Sequence, residues 1–267
     1  MKSDRVLHLE GVHNFRDYGG YAVSGGGRLR RGILWRSGEH FGATDSDLER
    51  IGALGLASIF DLRSSHERSV HPCRRPRDFS GEVFLSDDPP AREPAPQPTA
   101  PHVEAAQMTR RRDAASAREA MRRNYHKIAL RPELIGLTRQ MLTELSAGNG
   151  PALVNCMAGK DRTGITVAMV HLATGVHRDD IIADYLLTNT AGDVVARIAA
   201  GARSIRETAG EMDEDVLRVL MGVEAEYLES ALSRIADDFG STDAFLRDAV
   251  GLDDATRQRL CGALTEY

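Results

Sequence analysis

Residues 151–164 read PALVNCMAGKDRTG, and this stretch decides the fold of the chain. Its apolar start follows the turn-forming sequence GNG at 148–150, which is typical of a buried parallel strand. From Thr163 to Thr174 most positions are apolar, which predicts a well-buried helix. The sequence therefore predicts a strand, a tight loop and a helix, with Cys156 at the carboxyl end of the strand.

The loop has the composition of an anion cradle. Successive backbone N–H groups of such a loop point inward, and the helix dipole adds partial positive charge, so that the main chain itself holds a phosphate. Arg162 adds a guanidinium that can bind the phosphate at two points, and Lys160 supplies a second cation. The predicted substrate contacts in this stretch are Met157, Ala158, Gly159, Lys160, Thr163 and Gly164.

Cys156 is the predicted nucleophile. The thiolate is the reactive form, and its ordinary pKa of about 8.5 can fall to roughly 3.5–7.5 at a helix N-terminus or beside cations. A thiolate can attack phosphorus and form a phosphocysteine. Thr163 is placed to offer its hydroxyl to the sulfur when water cleaves that intermediate. The alternative is an inert buried cysteine in an ordinary strand-to-helix turn.

The sequence from Cys156 to Arg162 resembles the cysteine-x5-arginine signature of the protein tyrosine phosphatase superfamily. With its GKDRTG ending it is similar to the bacterial tyrosine and phosphoinositide phosphatases of the secreted mycobacterial and Listeria type. Residues 14–20 together with 32–37 resemble the N-terminal signature of that family, and residues 61–68 resemble its second motif. The resemblance covers most of the chain outside its middle.

This resemblance implies an α/β protein with the tyrosine phosphatase-like fold: a central, mostly parallel sheet flanked by helices, a helical lid insertion and a helical C-terminal part. It also implies cysteine-dependent hydrolysis of phosphate monoesters, with a phosphorylated protein or a phosphoinositide as substrate. No cofactor is expected, because cysteine-phosphate chemistry needs no metal and the nine histidines form no compact ligand motif.

One position departs from the family pattern, since Asn155 stands where a histidine normally precedes the nucleophile. That histidine orders the loop and keeps the thiolate pKa low, so Asn155 is expected to weaken the site. A pseudophosphatase that binds phosphorylated ligands with weak or no turnover is the alternative, although Cys156 and Arg162 are both retained. A rhodanese-type sulfurtransferase also uses a loop cysteine, but the Arg-Thr-Gly ending disfavours it.

Two aspartates compete for the role of general acid, which must protonate the leaving oxygen. Asp161 lies inside the loop, and the family resemblance favours an aspartate there. Asp61 follows the apolar strand 56–60, whose carboxyl end should lie at the same sheet edge as Cys156. Asp161 could instead shape the loop through an ion pair, and Asp61 could pair with Arg63, which is itself a candidate pocket residue.

The whole chain, 1–267, is expected to be one phosphatase domain with an insertion at 87–130. The insertion starts with a proline-rich stretch, which disfavours regular structure, and continues with an arginine-rich helical segment. Arg111, Arg118 and Arg122 fall on one helical stripe. This segment is interpreted either as a lid whose arginines contact extra phosphates or as a solvated face balanced by nearby acids.

The composition excludes several classes of protein. The formal net charge of −5 argues against a general nucleic-acid binder. Three cysteines are too few for a disulfide framework, and no apolar run has the length of a membrane-spanning helix. The expected location is the cytoplasm, or the exterior after secretion without a cleaved signal peptide. Residues 44–47 predict a capped helix start, and the amphipathic helices after Arg178 are expected to pack against the sheet.

Overall fold

The computed structural model describes residues 4–86, 100–109 and 113–267. The strands in these ranges are β1 (Arg16–Asp17), β2 (Arg28–Leu29), β3 (Leu34–Ser37), β4 (Ser58–Asp61), β5 (Glu82–Leu85), β6 (Ala152–Asn155) and β7 (Thr265–Glu266). Five of them form the central sheet in the order β1-β3-β6-β4-β5, and β2 and β7 form a small antiparallel sheet.

Helices make up most of the remaining structure. Those in the described ranges are α1 (Asp45–Gly52), α2 (Ser65–Val70), α3 (Pro101–Met108), α4 (Ala114–Ile128), α5 (Pro132–Ala147), α6 (Asp161–Thr174), α7 (Arg178–Leu186), α8 (Val194–Ala209), α9 (Glu214–Met221), α10 (Ala225–Phe239), α11 (Thr242–Asp248) and α12 (Asp254–Leu264), with a 3-10 turn at Leu187–Asn189. None of them is both long enough and apolar enough to cross a bilayer.

The central sheet aligns the carboxyl ends of four parallel strands. Strands β3, β6, β4 and β5 run parallel to their neighbours, whereas β1 runs antiparallel to β3. In this register Asn155 lies opposite Ser37 on one side and opposite Asp61 on the other. The predicted mostly parallel sheet is confirmed, and so is the expectation that Asp61 and Cys156 share one sheet edge.

Side chains of the central strands alternate between two apolar layers, as the two-residue period of a strand requires. Leu153 and Ile59 face a layer that contains α1, whereas Val154 and Phe60 face the larger core that contains α6. The sheet is therefore covered on both faces, which explains why its central strands are continuously apolar.

Helix α6 begins at Asp161, two residues earlier than the apolar pattern predicted. An acidic residue in the first turn of a helix is favourable because it faces the positive end of the helix dipole. All of α6 except Leu172 is buried, because the helix lies between the sheet and the C-terminal helices. This corrects the expectation that the C-terminal helices pack on the sheet: α10 packs mainly on α4, α6, α7 and α11.

The predicted start of α1 is confirmed. The Thr44 hydroxyl accepts a hydrogen bond from the Asp47 backbone, and the Asp47 carboxylate accepts one from the Thr44 backbone.

The segment 87–130, which the sequence predicts to be an insertion, forms two packed helices in its described part. Helix α3 also contacts α8, and α4 contacts α9 and α10. The proline-rich stretch at 87–99 and Arg111 lie outside the described residues.

Candidate active site

The loop after β6 contacts residues just before β1 and residues of β3, the two strands on one side of β6 in the sheet. Gly159 has a φ of 65°, and a Cβ there would lie 2.4 Å from the backbone of Ser37, so a glycine is required. The Gly159 carbonyl accepts hydrogen bonds from Asn14 Nδ2 at 2.6 Å and from Arg36 Nη2 at 3.0 Å. The N-terminal motif residues therefore hold the loop in shape.

Arg162 is fixed by an acid that sequence reasoning did not single out. Its Nη1 and Nη2 donate to Glu67 Oε2 and Oε1 at 2.6 and 2.7 Å, and Nη1 also donates to the Leu62 carbonyl at 3.0 Å. Burial opposes the charge of Arg162, but the Glu67 carboxylate outweighs it and raises the arginine pKa above its ordinary value. Arg162 Nε is buried and has no partner among the described residues.

Glu67 belongs to α2, which begins with its own capping box. Burial would raise the pKa of Glu67, but Arg162 reverses this effect and the net shift is downward. The carboxylate also accepts a hydrogen bond from the Ser64 backbone at 2.8 Å. The second family-like motif, residues 61–68, therefore supplies the acid that orients the loop arginine.

Asp161 is held at the end of a buried hydrogen-bond chain. Tyr185 donates its hydroxyl to Tyr125 at 2.6 Å, Tyr125 donates to Asp161 Oδ1 at 2.8 Å, and Lys160 Nζ donates to the same oxygen at 2.7 Å. Burial raises the pKa of both tyrosines well above the ordinary value, so both stay protonated. Burial lowers the pKa of Lys160 even though Asp161 favours its charge.

Asp61 forms an ion pair with Arg63, as the alternative interpretation of the sequence predicts. Arg63 donates from Nε and Nη2 to the two carboxylate oxygens at 2.8 and 2.7 Å, and Asn155 Nδ2 donates to Oδ1 at 3.3 Å. Arg63 also donates to Cys73 Sγ at 3.0 Å, and burial raises the pKa of that thiol to about 11. Asp61 thus links the loop-flanking Asn155 to Arg63.

Cys156 is buried at the start of the loop, with 2% of its surface exposed. The Thr163 hydroxyl is buried and has no hydrogen-bond partner among the described residues, the Cys156 sulfur included. Gly164 packs against Tyr185: a Cβ on this glycine would lie 2.8 Å from the tyrosine ring. Close helix packing therefore gives Gly164 a structural reason beyond phosphate contact.

A pocket of about 420 Å³ opens over the loop. Its lining includes Met157 and Ala158 of the loop, His13, His102 of α3 and Arg197 of α8. His102 is buried, and this burial lowers its pKa to about 4, so the ring is neutral at physiological pH. Helices α3 and α8 therefore contribute residues to the pocket beside the loop.

The arginines of α4 pair with acids of α4 itself and with acids at the start of α10 and directly before it. Arg118 Nε donates to Glu224 at 2.7 Å, and Arg122 pairs with Glu119 and with Glu226. Both arginines are about half exposed, and neither lines the pocket. The contacts match the interpretation of a solvated face balanced by nearby acids.

Six residues that the sequence did not single out are linked by hydrogen bonds to the loop and the start of α6 or line the pocket, and they are Asn14, Glu67, His102, Tyr125, Tyr185 and Arg197. Asn14 and Glu67 lay inside recognised motifs, which was the available signal for them. The two tyrosines carried no such signal, because a sequence does not distinguish a helical tyrosine that bonds a site residue from one that only fills the core.

Comparison with known proteins shows the family of this chain. The model of a family described as "Tyrosine phosphatase family" matches residues 7–266. The chain is 33% identical to the triple specificity protein phosphatase PtpB of Mycobacterium tuberculosis, over 97% of this chain and 99% of the relative. It is 31% identical to a putative tyrosine-protein phosphatase of Cupriavidus necator, over 93% and 85% of the two chains. The chain therefore belongs to the tyrosine phosphatase family and is a phosphoric monoester hydrolase.

Proposed function

We propose that this phosphatase hydrolyses phosphate monoesters through a phosphocysteine intermediate on Cys156. The observation that carries the mechanism is the two-point ion pair between Arg162 and Glu67. This pair orients the guanidinium and leaves Nε and one Nη2 hydrogen for a phosphate in the loop. The backbone N–H groups from Met157 to Arg162 would complete the cradle.

The first step breaks the ester P–O bond. The Cys156 thiolate attacks phosphorus, and Asp161 gives its proton to the leaving oxygen as the S–P bond forms. In the second step water attacks phosphorus, Asp161 takes a proton from that water, and the S–P bond breaks to release phosphate and the thiolate. Thr163 donates its hydroxyl to the departing sulfur.

Asp161 is the better candidate for the acid because of how its two oxygens are used. Oδ1 accepts hydrogen bonds from Tyr125 and Lys160, whereas Oδ2 accepts none from the described residues. Oδ2 is therefore the oxygen that would carry the transferred proton. Both oxygens of Asp61 are bonded to Arg63, which favours a positioning role for that carboxylate.

We propose phosphotyrosine as one substrate, together with phosphoserine/threonine or a phosphoinositide. The name of the mycobacterial relative, which assigns three specificities to that protein, supports a broad range. We further propose that the 87–130 insertion covers the site, since its helix α3 brings His102 into the pocket wall. Lys160 is fully buried and bonded to Asp161, so it acts on substrate through the loop.

The test is phosphate release from an aryl phosphate in the presence of EDTA. We expect turnover by the parent protein, none by Cys156→Ser, and parent-like turnover by Cys261→Ser, which removes a half-buried cysteine on α12. Asn155→His should increase turnover if Asn155 weakens the site. A parent that binds phosphorylated ligands without turnover would overturn the proposal in favour of a capture module. Activity in a cyanide-thiosulfate assay would instead favour a sulfurtransferase.

A further inference from the structure

Arg197 is a buried cation with unused hydrogen-bonding capacity. Its side chain is 2% exposed, and it donates from Nη1 to the Met221 carbonyl at 3.0 Å and from Nη2 to the Thr188 carbonyl at 2.8 Å. A guanidinium has five N–H donors, and these two bonds use two of them. Nε is buried without a partner, and no carboxylate among the described residues forms a salt bridge with Arg197.

The charge of Arg197 is not balanced by its surroundings. Asp161 is the acid whose charge favours that of Arg197, and it is already bonded to Lys160. Lys160 and Arg197 also repel each other, and the Cys156 sulfur favours the charge of Lys160. Burial lowers the pKa of Arg197 to about 10, so the guanidinium remains charged at neutral pH. A buried charge without a paired anion is costly, and a ligand anion would remove that cost.

Arg197 lines the same pocket as two residues of the phosphate loop. It lines the 420 Å³ pocket together with Met157 and Ala158, which directly follow the nucleophile in the sequence, and with Glu39 and Glu207. This volume lies within the range of roughly 300–1,000 Å³ that is typical of small-molecule sites, and Arg197 shares the pocket with two residues of the loop. Burial lowers the pKa of His13, and the nearby charge of Arg197 lowers it further. Arg203 is a second arginine of the pocket lining, and it is exposed.

We propose that Arg197 forms a second anion subsite, which binds a further phosphate group carried by the same substrate molecule whose first phosphate occupies the loop. This inference rests on the proposed function, because it adds a specificity-determining residue to the same site. The two carbonyl bonds hold the guanidinium in place before substrate arrives, so its remaining donors are already oriented.

The subsite is tested by calorimetric binding of inositol bisphosphate and inositol monophosphate to the Cys156→Ser protein, in which turnover cannot consume the ligand. We expect the bisphosphate to bind at least about tenfold more tightly, as one additional charge-assisted hydrogen-bonding group provides. Adding Arg197→Gln should remove this preference, because it weakens binding of the bisphosphate far more than binding of the monophosphate. Arg206→Gln, on the same helix and paired with exposed Glu211, should retain it.

Three comparisons test whether Arg197 forms this subsite and which kind of ligand it binds. Equal affinity for the two ligands before Arg197 is changed would overturn the subsite, whether or not the variants fold. Arg197→Lys keeps the charge, so a preference that survives in the lysine variant and is lost in the glutamine variant supports an electrostatic subsite. Vesicles carrying the same headgroups distinguish a lipid from a soluble source. Because these are binding measurements, absence of aryl phosphate turnover would contradict the proposed function and not the subsite.

Discussion

Arg162 and Glu67 meet in a two-point ion pair, Nη1 to Oε2 at 2.6 Å and Nη2 to Oε1 at 2.7 Å, although they are 95 residues apart. Both side chains are more than nine-tenths buried. The pair connects the first turn of α6 to the first turn of α2 across the carboxyl edge of the sheet. It determines which donors of the arginine remain for a phosphate, so the second motif controls the geometry of the loop.

Glu67→Gln should reduce both activity and stability. Breaking a buried pair from one side leaves an uncompensated charge, which costs about 3–5 kcal/mol in the free energy of unfolding. Denaturant titration should show this loss, and aryl phosphate turnover should fall at least about tenfold because Arg162 is no longer oriented. Glu119→Gln, which removes a half-exposed acid of α4, is the control and should change stability by less than about 1 kcal/mol.

The same pair predicts a pH dependence of stability. The pKa of Glu67 in the folded protein lies below its ordinary value of 4.5, so its stabilising contribution is fully present above that value. The contribution is lost as the pH falls through the lowered folded-state pKa. The free energy of unfolding of the parent protein should therefore decrease in acid more steeply than that of Glu67→Gln; parallel curves for the two proteins would contradict this account.

Asp161→Asn and Asp61→Asn should separate the two candidate acids. Without an acid, the rate depends strongly on the leaving group, so Asp161→Asn should slow alkyl phosphates far more than p-nitrophenyl phosphate. Asp61→Asn leaves Arg63 without its carboxylate and should mainly lower the melting temperature, with similar effects on both substrates. The opposite pattern of leaving-group dependence would assign the acid to Asp61.

Tyr125→Phe should slow hydrolysis. The tyrosine hydroxyl donates to Asp161 Oδ1 at 2.8 Å, so its removal takes away a group that positions the carboxylate. The kcat should fall by up to about tenfold, with a larger loss for alkyl phosphates than for p-nitrophenyl phosphate. Tyr227→Phe is the matched control, because the Tyr227 hydroxyl is buried beside Tyr125 and has no partner among the described residues. Equal kcat values for the two variants would mean that Tyr125 only fills space.

Gly164→Ala should destabilise the protein by about 1–3 kcal/mol, since the added Cβ would lie 2.8 Å from the Tyr185 ring and force α6 and α7 apart. Gly136→Ala, in α5, is the opposite case. A Cβ there has no heavy atom within 4 Å, so the helix should gain about 0.5–1 kcal/mol from the better helix former. Thermal unfolding of both variants should therefore give shifts of opposite sign.

The sequence by itself determined the features that are local or repeated at short range. The apolar run before Cys156 predicted β6, the apolar pattern after it predicted α6, and the Thr44 capping box predicted the start of α1. Each of these features depends on residues that are close together in the sequence. The hydrophobic pattern and the local hydrogen bonds that create them act between such residues. The rule for parallel sheets then brought Asp61 to the edge that carries Cys156.

Only the tertiary structure decided how the charged groups pair. In the sequence Arg162 could have been matched with any of 39 acids, and the packing of α2 against the loop selects Glu67. Packing likewise brings Tyr125 and Tyr185 to Asp161, and leaves Arg197 buried without a carboxylate among the described residues. Such long-range pairing depends on the relative positions of packed helices, which no spacing along the chain encodes.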